Sequence, residues 1–394
     1  MMSPIVANTP FDAASDAAPQ SSMANRVLFW GTYDLSKART RILRNGLKET
    51  DTDLVEIHAE VWPNHADKSQ MGVRTLAIAL IRALLWYPVL ITRFLRSPAD
   101  AVVIVPYLGA LDVLVLWPFA KLRGQDIVWD MFLSLYDTVV NDRHMVSRHG
   151  PAANLLWAVE WLAARAADKV LLDTEAHADY IAELFGLTAD KTAAVPVGAE
   201  LEQFPRLDPA IPDNSRPKVL FYGQLIPLHG IETILAAALS ARGQGIDWHI
   251  IGTGQDRPKL EAALANKDAR HVTWEEWLPY TSLVDAIAAS DICLGIFGAS
   301  RKAASVVPNK VYQSLFAGRA VITRASPAII ETFTPGQGLT LVPHSDPDAL
   351  LDAIERSQAE GYAPMPLDQL QNARPKDIAE RFKRIIANSN QVTG

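Results

Sequence analysis

Cysteine is nearly absent: the 394-residue sequence holds one, Cys293. No disulfide can form within the chain, and the expected compartment is a reducing one. Cys293 lies in the apolar run Ile292-Cys293-Leu294-Gly295-Ile296-Phe297, where a thiol packs as a small hydrophobe. The net charge of -7 lacks the basic excess that bulk nucleic-acid binding requires. Residues Met1 to Ala24 lack the basic start and apolar core of a signal peptide and are expected to form a mobile tail.

One local absence has a different meaning. Met71 to Ala99 contains no Asp or Glu, yet carries Arg74, Arg82, Arg93 and Arg96 among Leu, Ile, Trp and Tyr. The apolar part is long enough to span a bilayer. Arg82 inside it is costly there, and Pro88 is expected to break the helix. A basic, aromatic-bearing helix suits an anionic membrane surface instead. The expected location is therefore cytoplasmic, peripheral on the inner face of the membrane. The acidic pair in Asp51-Thr52-Asp53 precedes a strand and reads as a surface turn rather than a metal site.

What is present is 49% hydrophobic sequence arranged as alternating β-branched runs and helical patterns. Val27-Leu28-Phe29-Trp30-Gly31 reads as a buried strand ending in glycine, and Lys218-Val219-Leu220-Phe221-Tyr222-Gly223 repeats that design after a proline-rich break. The fold class is α/β, with two doubly wound Rossmann-like domains facing across a cleft. The expected boundaries are a tail at 1–24, a first domain at 25–204 and a linker at 205–217. A second domain spans 218–374, and a helix at 375–394 would pack back on the first.

Ligands of such sheets bind beyond the carboxyl ends of the strands. Candidates there are Gly31 and Tyr33 after the first strand, then Gly223, Gln224, His229 and Gly230 after the strand that opens the second half. Gly230 opens a helix whose amides and dipole suit a phosphate, and His229 stands ready to donate to one. Gly252 closes another strand, and Leu278 joins the donor side. Pro308 presets a further helix start at Asn309, with Arg301 and Lys302 just upstream as cations for a diphosphate. In the first half, Asp130 and Asp137 leave a strand for the cleft.

The set Phe221-Tyr222-Gly223 through Gly230-Ile231-Glu232, Gly252-Thr253-Gly254, Ala289-Ser290-Asp291-Ile292 and Pro308-Asn309-Lys310 through Ala317-Gly318 resembles the donor-binding domain of family 4 glycosyltransferases, which have the GT-B fold. The resemblance covers most of Lys218 to Thr332. It implies a retaining transfer from a nucleotide diphosphate sugar without an obligatory metal, and a lipid-linked or saccharide acceptor in envelope or exopolysaccharide synthesis. Where the family carries two glutamates separated by seven residues, this chain has Ser305 and Gln313, and Gln313 takes the ribose-binding place. Where the family has Arg and Lys after the strand-end glycine, it has Gln224 and His229. Asp130 stands near the place of the histidine found in many relatives. With these departures, catalytic roles are expected of Asp130, His229 and Lys302, and sugar or acceptor contact of Tyr33 and Asp137, while the resemblance implies an acceptor-binding first domain and a nucleotide-sugar-binding second. A GT-B sugar-nucleotide epimerase and an inactive sugar-nucleotide-binding scaffold are the alternatives.

Overall fold

The structure is a computed structural model describing residues 26–62, 73–208, 216–265 and 269–392. The expected tail lies outside the described residues, as does the middle of the expected linker. The first half contains β1 (Arg26–Gly31), α1 (Ala38–Lys48), β2 (Asp53–His58), α2 (Val73–Leu95), β3 (Val102–Val105), α3 (Ala110–Arg123), β4 (Ile127–Phe132), α4 (Pro151–Ala166), β5 (Lys169–Leu172), α5 (Glu175–Phe185) and β6 (Thr192–Ala194). The second contains β7 (Lys218–Tyr222), α6 (Ile231–Ala238), β8 (Asp247–Ile251), α7 (Arg257–Ala265), β9 (Val272–Glu275), α8 (Tyr280–Ala288), β10 (Ile292–Leu294), α9 (Arg301–Ser305), α10 (Asn309–Phe316), β11 (Ala320–Arg324), α11 (Pro327–Thr332), β12 (Leu339–Val342) and α12 (Pro347–Ala359). A last helix, α13 (Pro375–Val392), follows.

Every described strand pairing is parallel, in two six-stranded sheets ordered β2-β1-β3-β4-β5-β6 and β12-β11-β10-β7-β8-β9. Parallel strands are covered on both faces, and the continuous buried runs Val27–Trp30 and Val219–Tyr222 meet that demand. The outer face of the first sheet packs against α2, α3, α4 and α5. The outer face of the second packs against α6 and α12. The inner faces share one apolar core, which runs from β1 and α1 through α13 and α10 to β7 and β11. Strand order reverses between β1 and β3 and again between β7 and β10, and such a switch point opens a crevice at the strand ends.

Three local results differ from the sequence reading. Helix α2 continues through Pro88 instead of breaking there. Its buried stripe Ala79, Ala83, Tyr87, Leu90, Ile91 and Phe94 lies on the sheet, and that packing outweighs the lost backbone bond. Residues 205–208 of the expected linker are docked: Leu207 N–H donates to Ala317 and Arg206 to the carbonyls of Leu315 and Met365. The short strands β6 and β12 carry no apolar run long enough to announce them. On α13, Ile378, Phe382 and Ile386 are buried and Ile385 is half-buried, and the helix packs on α1.

Several bonds tie the halves together. Glu331 of α11 accepts from the first backbone amides of α5, at 2.6 Å from Glu175 N and 3.1 Å from Ala176 N. A carboxylate on a helix N-terminus is the favourable sign. Ser300 donates to Asp142 at 3.2 Å, and Thr174 donates to the Ser305 carbonyl.

Candidate functional site

The crevice of the second sheet opens between β7 and β10. Strand β7 ends at Tyr222 and the chain turns at Gly223, where φ is 138°. A Cβ at Gly223 would stand 3.2 Å from Lys310 Nζ and 3.3 Å from His229 Cε1, so these three residues meet in one place. Gly252 lies behind this turn. Its Cβ would be 1.8 Å from the Gly223 carbonyl oxygen, so the expected ligand contact is instead a crossing of two backbones. Gly230 caps α6 in the left-handed conformation and packs under Phe297 and Gly298.

Lys310 is the residue that sequence reasoning missed. It occupies the first turn of α10, which no side chain caps. It is only 5% exposed, and its Nζ has no hydrogen-bond partner among the described residues. The ammonium stands 3.8 Å from the centre of the Phe221 ring. Burial holds its pKa well below the usual lysine range. A second cation reaches the loop from the first domain: Arg143 donates to Gln224 Oε1 at 3.1 Å, and its own carbonyl accepts from Gln255 Nε2 at 2.9 Å. The cations at this turn are Lys310 and Arg143, where the sequence suggested Arg301 and Lys302. The available signal was Lys310 itself, because a cation in the first turn of a helix opposes the dipole and calls for an anion nearby.

His229 is buried and gives its Nδ1–H to the Gln224 carbonyl. Burial, then the neighbouring Lys310 charge, pushes its pKa well below the usual value. A neutral ring bonded this way keeps only Nε2, which accepts. Donation from His229 to a phosphate, as the sequence suggested, is thus opposed by its surroundings. Asn309 starts α10 half-buried beside Lys310. Gln313 lies further inward, with Oε1 3.3 Å from the Tyr222 hydroxyl, so any ribose contact would come from Nε2. Leu278 packs at the edge of the inner core.

Lys302 and Arg301 point across the interface. Lys302 Nζ lies 3.5 Å from Asp137 Oδ2 and donates to Thr138, while Arg301 pairs with Glu183 over the Tyr180 ring. Asp137 is fully buried and also accepts from Tyr180 and Asn141. This pair joins the domains instead of facing the crevice. Lys302→Ala is therefore expected to lower stability by about 3 kcal/mol, because it strands a buried carboxylate. It should weaken nucleoside and nucleoside diphosphate binding equally, as read by calorimetry. A loss confined to the diphosphate would return Lys302 to the phosphate site.

The first-domain candidates Gly31, Tyr33, Asp130 and Asp137 are all buried. Asp130 lies within β4 and is held by Arg39, with oxygens 2.9–3.2 Å from the guanidinium. Both side chains are 1% exposed, which makes Asp130 the buried counter-ion of Arg39. Tyr33 is buried between Phe29 and His58, with its hydroxyl turned to Glu56. The space beside Gly31 is filled by Asp112, which accepts from Thr32 N at 2.8 Å. Asp53, of the turn read as non-metal, pairs with Arg26 at 2.6 Å.

Comparison with known proteins agrees with the fold. The family described as Glycosyl transferases group 1 matches residues 216–359. No curated protein sequence matches the chain. Sucrose-phosphate synthase from Thermosynechococcus elongatus superposes with a TM-score of 0.62 at 16% identity, over 93% of this chain and 97% of that one. The lipopolysaccharide outer core galactosyltransferase WaaB, in its apo form, gives 0.61 at 14%, over 92% and 99%. Anabaena HepE in complex with UDP-glucose gives 0.56 at 10%, over 93% and 98%. Residues 216–359 thus resemble the group 1 glycosyltransferases, and the whole described chain has the two-domain GT-B fold of these solved structures.

Proposed function

We propose that the chain is a retaining glycosyltransferase whose donor, a nucleoside diphosphate sugar, places its phosphates against Lys310. The acceptor in this reading is a lipid-linked saccharide at the inner face of a membrane, in envelope or exopolysaccharide synthesis. One observation carries the donor assignment: a buried lysine amine with no hydrogen-bond partner among the described residues, on an uncapped helix start at the switch point of a parallel sheet. A buried charge calls for a counter-charge, and a diphosphate supplies it. The HepE structure with UDP-glucose supports a donor of that chemistry.

As the bond from the sugar to the phosphate breaks, negative charge collects on the departing oxygen. Lys310, Arg143 and the first amides of α10 stand ready to stabilise it without reorganising. Retention is favoured by how the nearby carboxylates are held. Asp130 is bonded to Arg39, Asp137 to Lys302 and Tyr180, and Asp173 to His177, so none is poised to take a proton from an acceptor. The leaving phosphate oxygen then receives the acceptor's proton on the face from which it departs. Bound metal has no required part in this scheme, since two side-chain cations offset the diphosphate.

A thermal-shift panel of nucleotide diphosphate sugars tests the donor assignment. At a ligand concentration about a hundredfold above Kd, the native state gains roughly 2.7 kcal/mol by mass action, and the melting temperature should rise for one base and sugar above the rest. A flat panel would remove the donor reading.

A further inference from the structure

The outer layer of the first domain presents a surface that an aqueous protein does not leave bare. Helix α2 carries apolar side chains on the side away from the sheet as well as on the side that packs on it, flanked by Arg82 and Arg93. One side is covered by the sheet, yet only 28% of its most apolar window is buried. The opposite side exposes Ile81, Leu84, Leu85 and Val89, with Leu85 at 72%. The apolar surface continues on Leu122 of α3, at 85% exposure, and on Leu155 of α4.

Exposed charge on α2, α3 and α4 has one sign. Helix α2 has no acidic residue, α3 has only Asp112 and α4 only Glu160. Both acids are buried and turned inward. Asp112 accepts from Thr32 and Tyr87, and Glu160 accepts from Ser134 and the amides of Leu135 and Tyr136. The exposed charges of the three helices are cations, among them Arg74, Arg82, Arg93 and Arg165, while Lys121 is paired with Asp168 just beyond α4. Trp86 of α2 and Trp117 of α3 are half-exposed beside them, the type of residue that settles at headgroup depth.

We infer that the outer face of α2, α3 and α4 inserts into the surface of an anionic bilayer, with α2 lying in the membrane plane. The inference extends the peripheral-membrane reading above from a charged helix to an inserting three-helix face, and its occupant is lipid. Leucines enter the acyl boundary while the arginines stay with the phosphates. Crossing is opposed by the stripe from Ala79 to Phe94, which holds α2 on the sheet, and by the Tyr87 hydroxyl bonded to Asp112 at 2.8 Å.

The test is vesicle flotation of the full chain with phosphatidylcholine, with and without phosphatidylglycerol, in low and molar salt. Wild type should float with the anionic vesicles and remain partly bound in high salt. The pair Leu84→Glu and Leu85→Glu removes two exposed leucines, which do not support the core, and should cut partitioning on the order of a hundredfold at either salt. The pair Arg82→Gln and Arg93→Gln should cut it about thirtyfold at low salt and little at high salt. Absence of flotation, or flotation unaffected by the leucine pair, overturns the proposal. So does a sedimentation dimer that the leucine pair dissociates while vesicles capture neither protein. Nucleoside diphosphate binding, measured on the same samples, keeps failure of the donor site separate from failure of this face.

Discussion

Lys310→Met should weaken nucleoside diphosphate binding about a hundredfold and leave nucleoside binding almost unchanged. The figure follows from the worth of a charge-assisted hydrogen bond, about 1.5–3 kcal/mol. Methionine keeps the volume beside the Phe221 ring and removes the charge. The empty variant should be no less stable than wild type, because a desolvated ammonium without a partner contributes nothing to the fold. Calorimetry with the diphosphate and its nucleoside separates the two effects, and equal losses would make Lys310 structural.

A pH dependence goes with it. Burial lowers the pKa of Lys310 in the empty site, and a bound diphosphate favours the ammonium and raises it. Between those two values, binding takes up a proton, so diphosphate affinity falls as pH rises through the window. By the same linkage, the unfolded chain holds more protons at this residue than the empty folded one. Lys310 therefore makes the empty protein more stable as pH rises from the lowered value toward the ordinary lysine range. Titrations in buffers of different ionisation heat should show uptake in wild type and none from this residue in the variant.

Asp130→Asn is expected to be the most destabilising of the substitutions considered, by about 3–5 kcal/mol, because it leaves the Arg39 guanidinium buried and uncompensated. Arg39 spans 91 residues to reach Asp130, and also holds the carbonyls of Val195 and Pro196. The pair thereby fixes β4, α1 and the segment leading from β6. The chemical denaturation midpoint should fall sharply, while activity per folded molecule at low temperature is retained. A variant of normal stability with abolished turnover would restore Asp130 to the catalytic centre.

The residues that sequence placed well and badly differ in a physical way. The paired α/β halves were legible because β1 and β7 are continuous buried runs, each closed by a glycine. The converging loops after β7 and before α10 were legible as places where backbone amides open. Side-chain destinations were not. Lys302 and Lys310 stand eight positions apart in one segment, and only three-dimensional packing shows that one meets Asp137 across the interface while the other turns to Gly223. Asp130 read as a residue leaving a strand for the cleft, since its partner on α1 is remote in sequence. Pro88 read as a breaker because local backbone geometry was weighed without the stripe that seats α2 on the sheet.

The central claim is that this chain moves a sugar from a nucleoside diphosphate onto an acceptor. The most direct measurement incubates the protein with each nucleotide diphosphate sugar and a lipid extract, and follows both released nucleoside diphosphate and glycosylated lipid. The account predicts release from one preferred donor, matched by a glycolipid in which the anomeric configuration of the donor is kept, and loss of both signals in Lys310→Met. Tight donor binding with no release from any sugar nucleotide would contradict it and leave a protein that binds the donor without transferring it.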